Sequence, residues 1–403
     1  MKNVPQEQTH VVILGGGYAG VMAARRLAGK VKRGVTITLI SGADTFVERI
    51  RLHQAAAGTG RTKIAYRKLL RGTNVRFVQG WVTHLDPARR QISLQTVDGR
   101  QQIFYDRLVY ALGSVPATAG VDGVKEYAFT LSSPDASAQL NDAVRLAARR
   151  KGRLLVVGGG LTGIEAATEL AEAYPALQVT LATSGQLGPG LSPRANRYLR
   201  KVFRALDIEL LEQTRVTSLS ANAAHMQHGE PLPFDVCLWA GSFRAPALAA
   251  EAGLPVDPLG RVRVGPTLQV EGQPDIYVAG DAAASPLRMA CATALPMGAY
   301  VADHLAAELN GDPSPGPFRF AYTIQCISLG RRRGLVQFVD AHDAPAGAVI
   351  TGMAGAFVKE LVCRYTIWSL RMSNRYRWPA GGEPLLAPAS QHDQEYERQL
   401  VRV

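Results

Sequence analysis

Short, uninterrupted apolar runs that break at glycine-rich turns set the framework of the chain. Val11-Val12-Ile13-Leu14 runs into Gly15-Gly16-Gly17-Tyr18-Ala19-Gly20 and then into a helical pattern from Val21 to Leu27. Leu154-Leu155-Val156-Val157 runs into Gly158-Gly159-Gly160-Leu161-Thr162-Gly163 and then into Ile164 to Glu172. A short apolar run bounded by glycine fits a strand covered on both faces, and the spacing beyond each turn fits a helix. A further strand follows each helix, at Val35 to Ile40 and at Gln178 to Ala182. The pattern predicts two βαβ units whose parallel strands are joined by right-handed crossovers.

Other segments read differently. From Asn74 to Tyr110, short strands and turns such as Asp98-Gly99 predict a β-meander that ends in Leu108-Val109-Tyr110-Ala111-Leu112-Gly113. A similar strand, Val236-Cys237-Leu238-Trp239-Ala240-Gly241, closes the second unit, and Asp275 to Ala279 runs into Gly280-Asp281. A helix is expected from about Leu295 to Leu309, stopping at Asn310-Gly311, with a linker from Gly311 to Pro317. Between Gly355 and Trp378, Phe357, Leu361, Tyr365 and Trp368 recur at helical spacing among Lys359, Arg364, Arg371, Arg375 and Arg377. Such a helix packs its apolar face on the body of the protein or on a second subunit, or lies in a membrane interface. Packing on protein, either the FAD domain or a second subunit, is the expected destination. The polar tail after Gly382 is expected to be loose.

Composition narrows the picture. A chain of 403 residues suits two or three domains. Its 47% hydrophobic and 19% charged residues exclude extended disorder. Met1 to His10 holds no apolar stretch of signal-peptide type. The weakly polar run from Ala344 to Val358 is broken by Pro345, Gly347, Gly352 and Gly355, so no membrane span is expected. The four cysteines are far apart, without a CxxC pair, which argues against zinc or a local redox disulfide and fits a reducing cytoplasm. No metal site is expected. The net charge of +12 suits phosphate-rich cofactors or anionic headgroups, or marks a soluble basic enzyme. The basic residues are spread along the chain, so no specific nucleic-acid partner is expected.

The glycine turns carry the candidate chemistry. In GxGxxG the first glycine allows the tight turn, the second lets backbone approach a pyrophosphate, and the third lets helix pack on strand. The free N–H groups and dipole of the helix N-terminus then stabilise the phosphate charge. Both copies follow a strand and open a helix, the context in which the motif binds a dinucleotide. The acidic residue expected about 20 positions onward is missing from both: Ser41, with Asp44 beyond it, stands in the first unit and Thr183-Ser184 in the second. NADH and NADPH both remain open.

The order of these elements resembles the pyridine-nucleotide flavoprotein superfamily, and within it type II NADH dehydrogenases and apoptosis-inducing-factor-like NAD(P)H:quinone reductases. It comprises a GxGxxG, Ala111-Leu112-Gly113, a second GxGxxG with Glu165, and Tyr277-Val278-Ala279-Gly280-Asp281. The resemblance covers about residues 8 to 335. It implies an α/β fold of two Rossmann-like dinucleotide-binding domains, of the glutathione-reductase-like FAD/NAD(P) type, with a small C-terminal region. The FAD domain is expected at 1–120 and 266–325, the NAD(P) domain at 121–265, and the C-terminal region at 326–403.

Site residues follow from the resemblance. Gly15, Gly16, Gly17, Tyr18, Ala19 and Gly20 would cradle the FAD pyrophosphate, with Ala111 and Gly113 beside them. Arg49 or Arg51 would be the basic residue near FAD, Val82 would meet the adenine, and Gly280 and Asp281 would bind the ribityl end. Pro296 and Met297, within Thr293 to Gly298, would belong to a helix start aimed at the flavin pyrimidine edge, where it stabilises negative charge. Gly158, Gly160, Leu161, Thr162, Gly163, Thr183 and Gly241 would hold the nicotinamide dinucleotide. Glu165 would reach the nicotinamide side as the candidate catalytic residue; otherwise it is a first-turn glutamate favoured by the helix dipole.

The implied activity passes hydride from NADH or NADPH to FAD and then electrons to an acceptor, a quinone by preference. The close cysteine pair of flavin disulfide reductases and of sulfide:quinone reductases is missing from the sequence; Cys291 and Cys326 are expected to be inert buried thiols. Two alternatives are a flavin-dependent tailoring oxidase and a redox-sensing protein of low turnover. The resemblance also implies a peripheral contact of the C-terminal helix with the cytoplasmic membrane face; a homodimer is the other expected partner.

Overall fold

The computed structural model describes residues 8–118 and 120–386. Its first sheet contains β1 (Thr9–Leu14), β2 (Val35–Ser41), β3 (Arg76–Gln79), β4 (Arg107–Tyr110), and two later strands. Between β1 and β2 runs α1 (Tyr18–Ala28), and a short helix α2 (Leu52–Ala56) follows β2. A second sheet is built from β5 (Arg153–Val157), β6 (Gln178–Ala182), β7 (Ile208–Leu211) and β8 (Val236–Trp239), with α3 (Leu161–Ala173) joining β5 to β6. The chain then returns to the first sheet through β9 (Gln269–Val270) and β10 (Gln273–Val278) before α4 (Cys291–Asn310). A terminal layer holds β11 (Ile324–Ser328), β12 (Gly334–Val339), β13 (Pro345–Thr351) and α5 (Gly352–Arg371).

The first sheet has the order β9-β10-β4-β1-β2-β3 and is parallel except where β9 meets β10. The second has the order β7-β6-β5-β8 and is parallel throughout. In each, the strand that leads into the glycine turn lies between one strand that follows it directly and one that comes later. That is the topological switch point at which open α/β sheets bind ligands. Val11 to Leu14 are fully buried because both faces of β1 are covered, as parallel sheets require.

The meander is shorter than expected. It comprises Trp81–Asp86, Gln91–Thr96 and Gly99–Phe104 alone, all antiparallel. The strands on either side of it, β3 and β4, join the parallel sheet instead. The reason is legible in β4: Leu108, Val109 and Tyr110 are buried in succession, without the alternation of a one-sided strand.

Helix α4 also departs from expectation. It starts at Cys291 after an extended Ala290, so Pro296 lies inside the helix instead of at its start. The far end agrees, with Gly311 in the left-handed region at φ +73°. Gly298 lets α4 cross α1 closely, since a Cβ there would lie 2.2 Å from the Ala19 carbonyl oxygen.

On α5 the aromatic stripe faces outward. Gly355, Cys363, Thr366, Ser369 and Leu370 form the buried face. Met353, Phe357, Leu361, Tyr365 and Trp368 retain between 48% and 81% exposure. The stripe therefore does not pack on the body of the chain, one of the two expected partners of the helix. The polar tail from residue 387 onward lies outside the described residues.

Candidate functional site

The two glycine turns are near copies in geometry. Gly15 and Gly158 both have positive φ, at +104° and +123°, and added Cβ atoms would lie 2.2 Å from Ala111 O and 2.4 Å from Ala240 O. Gly20 and Gly163 would each place a Cβ 1.9 Å from a carbonyl oxygen of their own turn, Gly15 and Gly158. Gly16 is pressed against Tyr66, and Gly159 against Thr183. Gly17 and Gly160 differ from all of these: nothing lies within 4 Å of their added Cβ atoms. In each turn three glycines serve packing, while a fourth holds open space at the N-cap of a helix. This fits a diphosphate resting on helix N–H groups.

A cavity of about 270 Å³ lies between the two units. Gly17, Tyr18, Ala19, Ala111 and Gly113 line it from the first unit; Leu161, Thr162 and Glu165 line it from the second. Gly280, Asp281 and the start of α4 at Ala290, Cys291 and Ala292 border it too. Ser114 Oγ donates to Asp281 Oδ2 at 2.6 Å, which fixes that carboxylate at the rim. Of the two arginines singled out, Arg49 lines the cavity and donates to Ser114 O at 2.9 Å. Arg51 turns away to Glu360 and lies in a separate cleft.

Other expected residues sit outside the cavity. Val82 pairs with Leu94 in the meander and packs on the first core. Pro296 and Met297 are buried in α4, and the residues that present the helix start to the cavity are four to seven positions earlier. Thr183 buttresses Gly159, and Gly241 follows β8 beside Trp239. They support the turn from behind.

A polar cluster unread in the sequence closes one side of the cavity. Glu165 Oε1 lies 2.9 Å from Lys359 Nζ of α5 and accepts a hydrogen bond from Ser328 N at 2.9 Å. His53 Nδ1, on α2, lies 3.8 Å from Glu165 Oε2, while Nε2 has no hydrogen-bond partner among the described residues. Burial pulls the Glu165 carboxyl upward, but the Lys359 ammonium, His53 and the Ser328 N–H together hold it below the usual carboxylate value. Glu165 is thus an ionised, paired carboxylate at the cavity wall.

Burial pushes the His53 imidazole down from 6.5 to about 4. The unfolded chain therefore takes up a proton near pH 6.5 that the folded chain refuses until about pH 4. Stability from this group is complete above about pH 6.5 and falls as pH drops toward 4, by on the order of 3 kcal/mol. Thermal melts across that range are expected to show the loss, and His53→Gln to flatten it; an unchanged slope in the variant would refute the assignment.

Cys291, Cys326 and Cys363 all line the cavity as free thiols. Burial pushes Cys291 up to about 12 and Cys363 up to about 11, and raises Cys326 as well. They are neutral at physiological pH. Among the described residues, no group of three or more His, Cys, Asp or Glu side chains could hold a metal ion.

Two nucleotide folds that share one cavity define the two-dinucleotide reductase architecture. The chain belongs to the pyridine nucleotide-disulphide oxidoreductase family, whose model matches residues 9–303. Demethylphylloquinone reductase NdbB of Synechocystis is 27% identical over 393 residues, covering 91% of this chain and 95% of that protein. A type II NADH:quinone oxidoreductase of Staphylococcus epidermidis is 29% identical over 402 residues, covering 91% and 96%. The sulfide:quinone oxidoreductase of Aquifex aeolicus superposes with a TM-score of 0.80 at 19% identity, covering 95% of this chain and all of that one. NDH2 of Plasmodium falciparum superposes at 0.77 with 15% identity, covering 94% of this chain.

Proposed function

We propose that this chain is an FAD-dependent NAD(P)H:quinone oxidoreductase. The observation that carries the reading is the pair of open glycines, Gly17 and Gly160, at helix starts that lead into one cavity. Bound FAD supplies the two-electron relay that takes hydride from NADH or NADPH and passes electrons to a quinone. The chain does the rest. Residues 1–120 and 266–325 would hold FAD, with Gly17 and the first N–H groups of α1 available to its diphosphate. Asp281, oriented by Ser114, would take the ribityl hydroxyls, with Arg49 at the same cavity wall. Residues 121–265 hold the nicotinamide dinucleotide at Gly160, Leu161 and Thr162. Glu165 orients the nicotinamide side of the cavity from its fixed pair with Lys359.

Gly160→Val tests the division of labour. The variant is expected to keep its flavin and to raise KM for NADH tenfold or more, a loss of about 1.4 kcal/mol or more of binding. Loss of flavin with unchanged NADH affinity, read by direct binding, would reverse the assignment of the two folds. NADH and NADPH run side by side in the same assay decide the preferred co-substrate, because Thr183 and Ser184 offer no carboxylate to repel a 2′-phosphate.

The site of action is the cytoplasmic membrane face. Among the described residues, no helix is long and apolar enough to cross a membrane. An exposed stripe of Met353, Phe357, Leu361, Tyr365 and Trp368 on a helix with a basic flank suits burial in the interface. Co-sedimentation with lipid vesicles is expected, and Phe357→Ser with Met353→Ser is expected to abolish it. A protein that ignores vesicles and doubles in mass with concentration would instead assign the stripe to a homodimer.

A further inference from the structure

A second cleft opens beside the exposed stripe of α5, apart from the central cavity. Five arginines line it, Arg51, Arg61, Arg331, Arg364 and Arg371, against two glutamates, Glu48 and Glu360. Those carboxylates are already engaged. Glu360 accepts two bonds from the Arg51 guanidinium, at 2.9 and 3.0 Å, and another from Arg364 Nε at 2.9 Å. The Arg51 bonds, with Arg364 behind them, hold the Glu360 carboxyl down at about 2, so it stays ionised and committed to them. Glu48 accepts from Arg51 Nε at 3.2 Å.

Two of the remaining arginines are left over. Arg61 and Arg371 have no ion-pair partner among the described residues, and both side chains are exposed. Arg331 is partly engaged: its Nε lies 3.8 Å from Glu169 Oε1, and its backbone N–H donates to Glu172 Oε1 at 2.6 Å. Uncommitted guanidinium groups in a concave site match the oxygens of a phosphate in charge and in fork geometry.

The position of the cleft says which phosphate. Trp368 lines the cleft and is also part of the exposed apolar stripe. Arg332 and Lys201 border the other end of the same helix beside Met353. Basic groups therefore rim the stripe at both ends. A lipid surface has this arrangement, with phosphate at the level of the interface and acyl chains just beneath.

We propose that the cleft binds the phosphate of an anionic phospholipid headgroup, through Arg61 and Arg371, while the α5 stripe enters the acyl boundary. The proposal rests on the membrane reading given above and adds a lipid preference to it. Bound this way, the protein would be held on anionic patches of the bilayer by a discrete site and not by its overall charge.

The test uses the FAD-loaded full chain and vesicles of pure phosphatidylcholine or of phosphatidylcholine mixed with phosphatidylglycerol. The wild type is expected to bind the mixed vesicles more tightly. In Arg61→Gln/Arg371→Gln that advantage should shrink by about fivefold for each arginine removed, while binding to neutral vesicles persists and shows that the variant is folded. Arg145→Gln/Arg149→Gln removes the same charge from an exposed helix face elsewhere and should leave the advantage intact. Equal losses in the two double variants would overturn the cleft in favour of diffuse attraction. Wild type that binds both vesicles alike would overturn the cleft alone, whereas wild type that binds neither would overturn the membrane reading with it. Inorganic phosphate is the remaining arm: if it raises the melting temperature of the wild type but not of the cleft variant, and the vesicles show no anionic preference, the ligand is a free phosphate and not a lipid.

Discussion

Gly17→Val is expected to purify as a folded protein without flavin colour. Nothing lies within 4 Å of a Cβ at this position, so the fold has no atom to displace. Its backbone, at φ −78° and ψ −168°, is extended and readily adopted by valine. The two methyl groups project into the space where a diphosphate would meet the first N–H groups of α1. Affinity for FAD should fall by at least about a hundredfold, or about 3 kcal/mol. Gly20→Ala makes the contrast: its Cβ would lie 1.9 Å from the Gly15 carbonyl oxygen, so α1 has to part from its own turn. That variant is expected to fail to fold. Flavin absorbance per chain and a thermal melt separate the two effects, and a Gly17→Val protein that keeps its full flavin would refute the cradle.

Lys359→Met is expected to be the most damaging single change outside the glycine turns. It removes the ammonium 2.9 Å from Glu165 and leaves a buried carboxylate with only the Ser328 N–H and a neutral His53 nearby. Loss of one partner from a buried ion pair costs about 3–5 kcal/mol. With Lys359 gone, burial raises the Glu165 carboxyl, so the variant should lose further stability as it is ionised at neutral pH and regain some as pH falls. Adding Glu165→Gln to Lys359→Met should restore most of the loss, because the amide oxygen can still accept from Ser328 N. Chemical denaturation of the two variants measures this directly. If the single variant unfolds with the wild type, Lys359 does not compensate Glu165.

The glycine turns were legible in the sequence because their constraints are local. Gly15, Gly20, Gly158 and Gly163 are dictated by backbone approaches of about 2 Å within a strand-turn-helix unit, and no other residue type satisfies them. The parallel sheets followed from the same runs. Helix α5 shows where this reasoning stops. Its aromatic spacing reads as a core face, yet the core-facing residues are Gly355, Cys363, Thr366 and Leu370, of which Cys363 lines the central cavity. Lys359 keeps the helical register of that face, four residues before Cys363 and seven before Thr366. A lysine on the small-residue side of an amphipathic helix was the one available sign of a buried partner. Nothing along the chain could tie it to His53, Glu165 and Ser328, which meet only after three separate elements pack. The start of α4 was misplaced: a helix from about Leu295 was expected, whereas it begins at Cys291 and carries Pro296 inside it.

The central claim is that two nucleotides bind in neighbouring folds and exchange electrons across the shared cavity. Anaerobic stopped-flow mixing tests it most directly: the flavin-loaded chain meets NADH or NADPH first and a quinone second. Bleaching of the flavin by at least one nicotinamide, followed by full return of colour on addition of the quinone, is the expected result. A flavin that neither nicotinamide bleaches, or a bleached flavin that quinone leaves unchanged while oxygen alone restores it, would contradict the account.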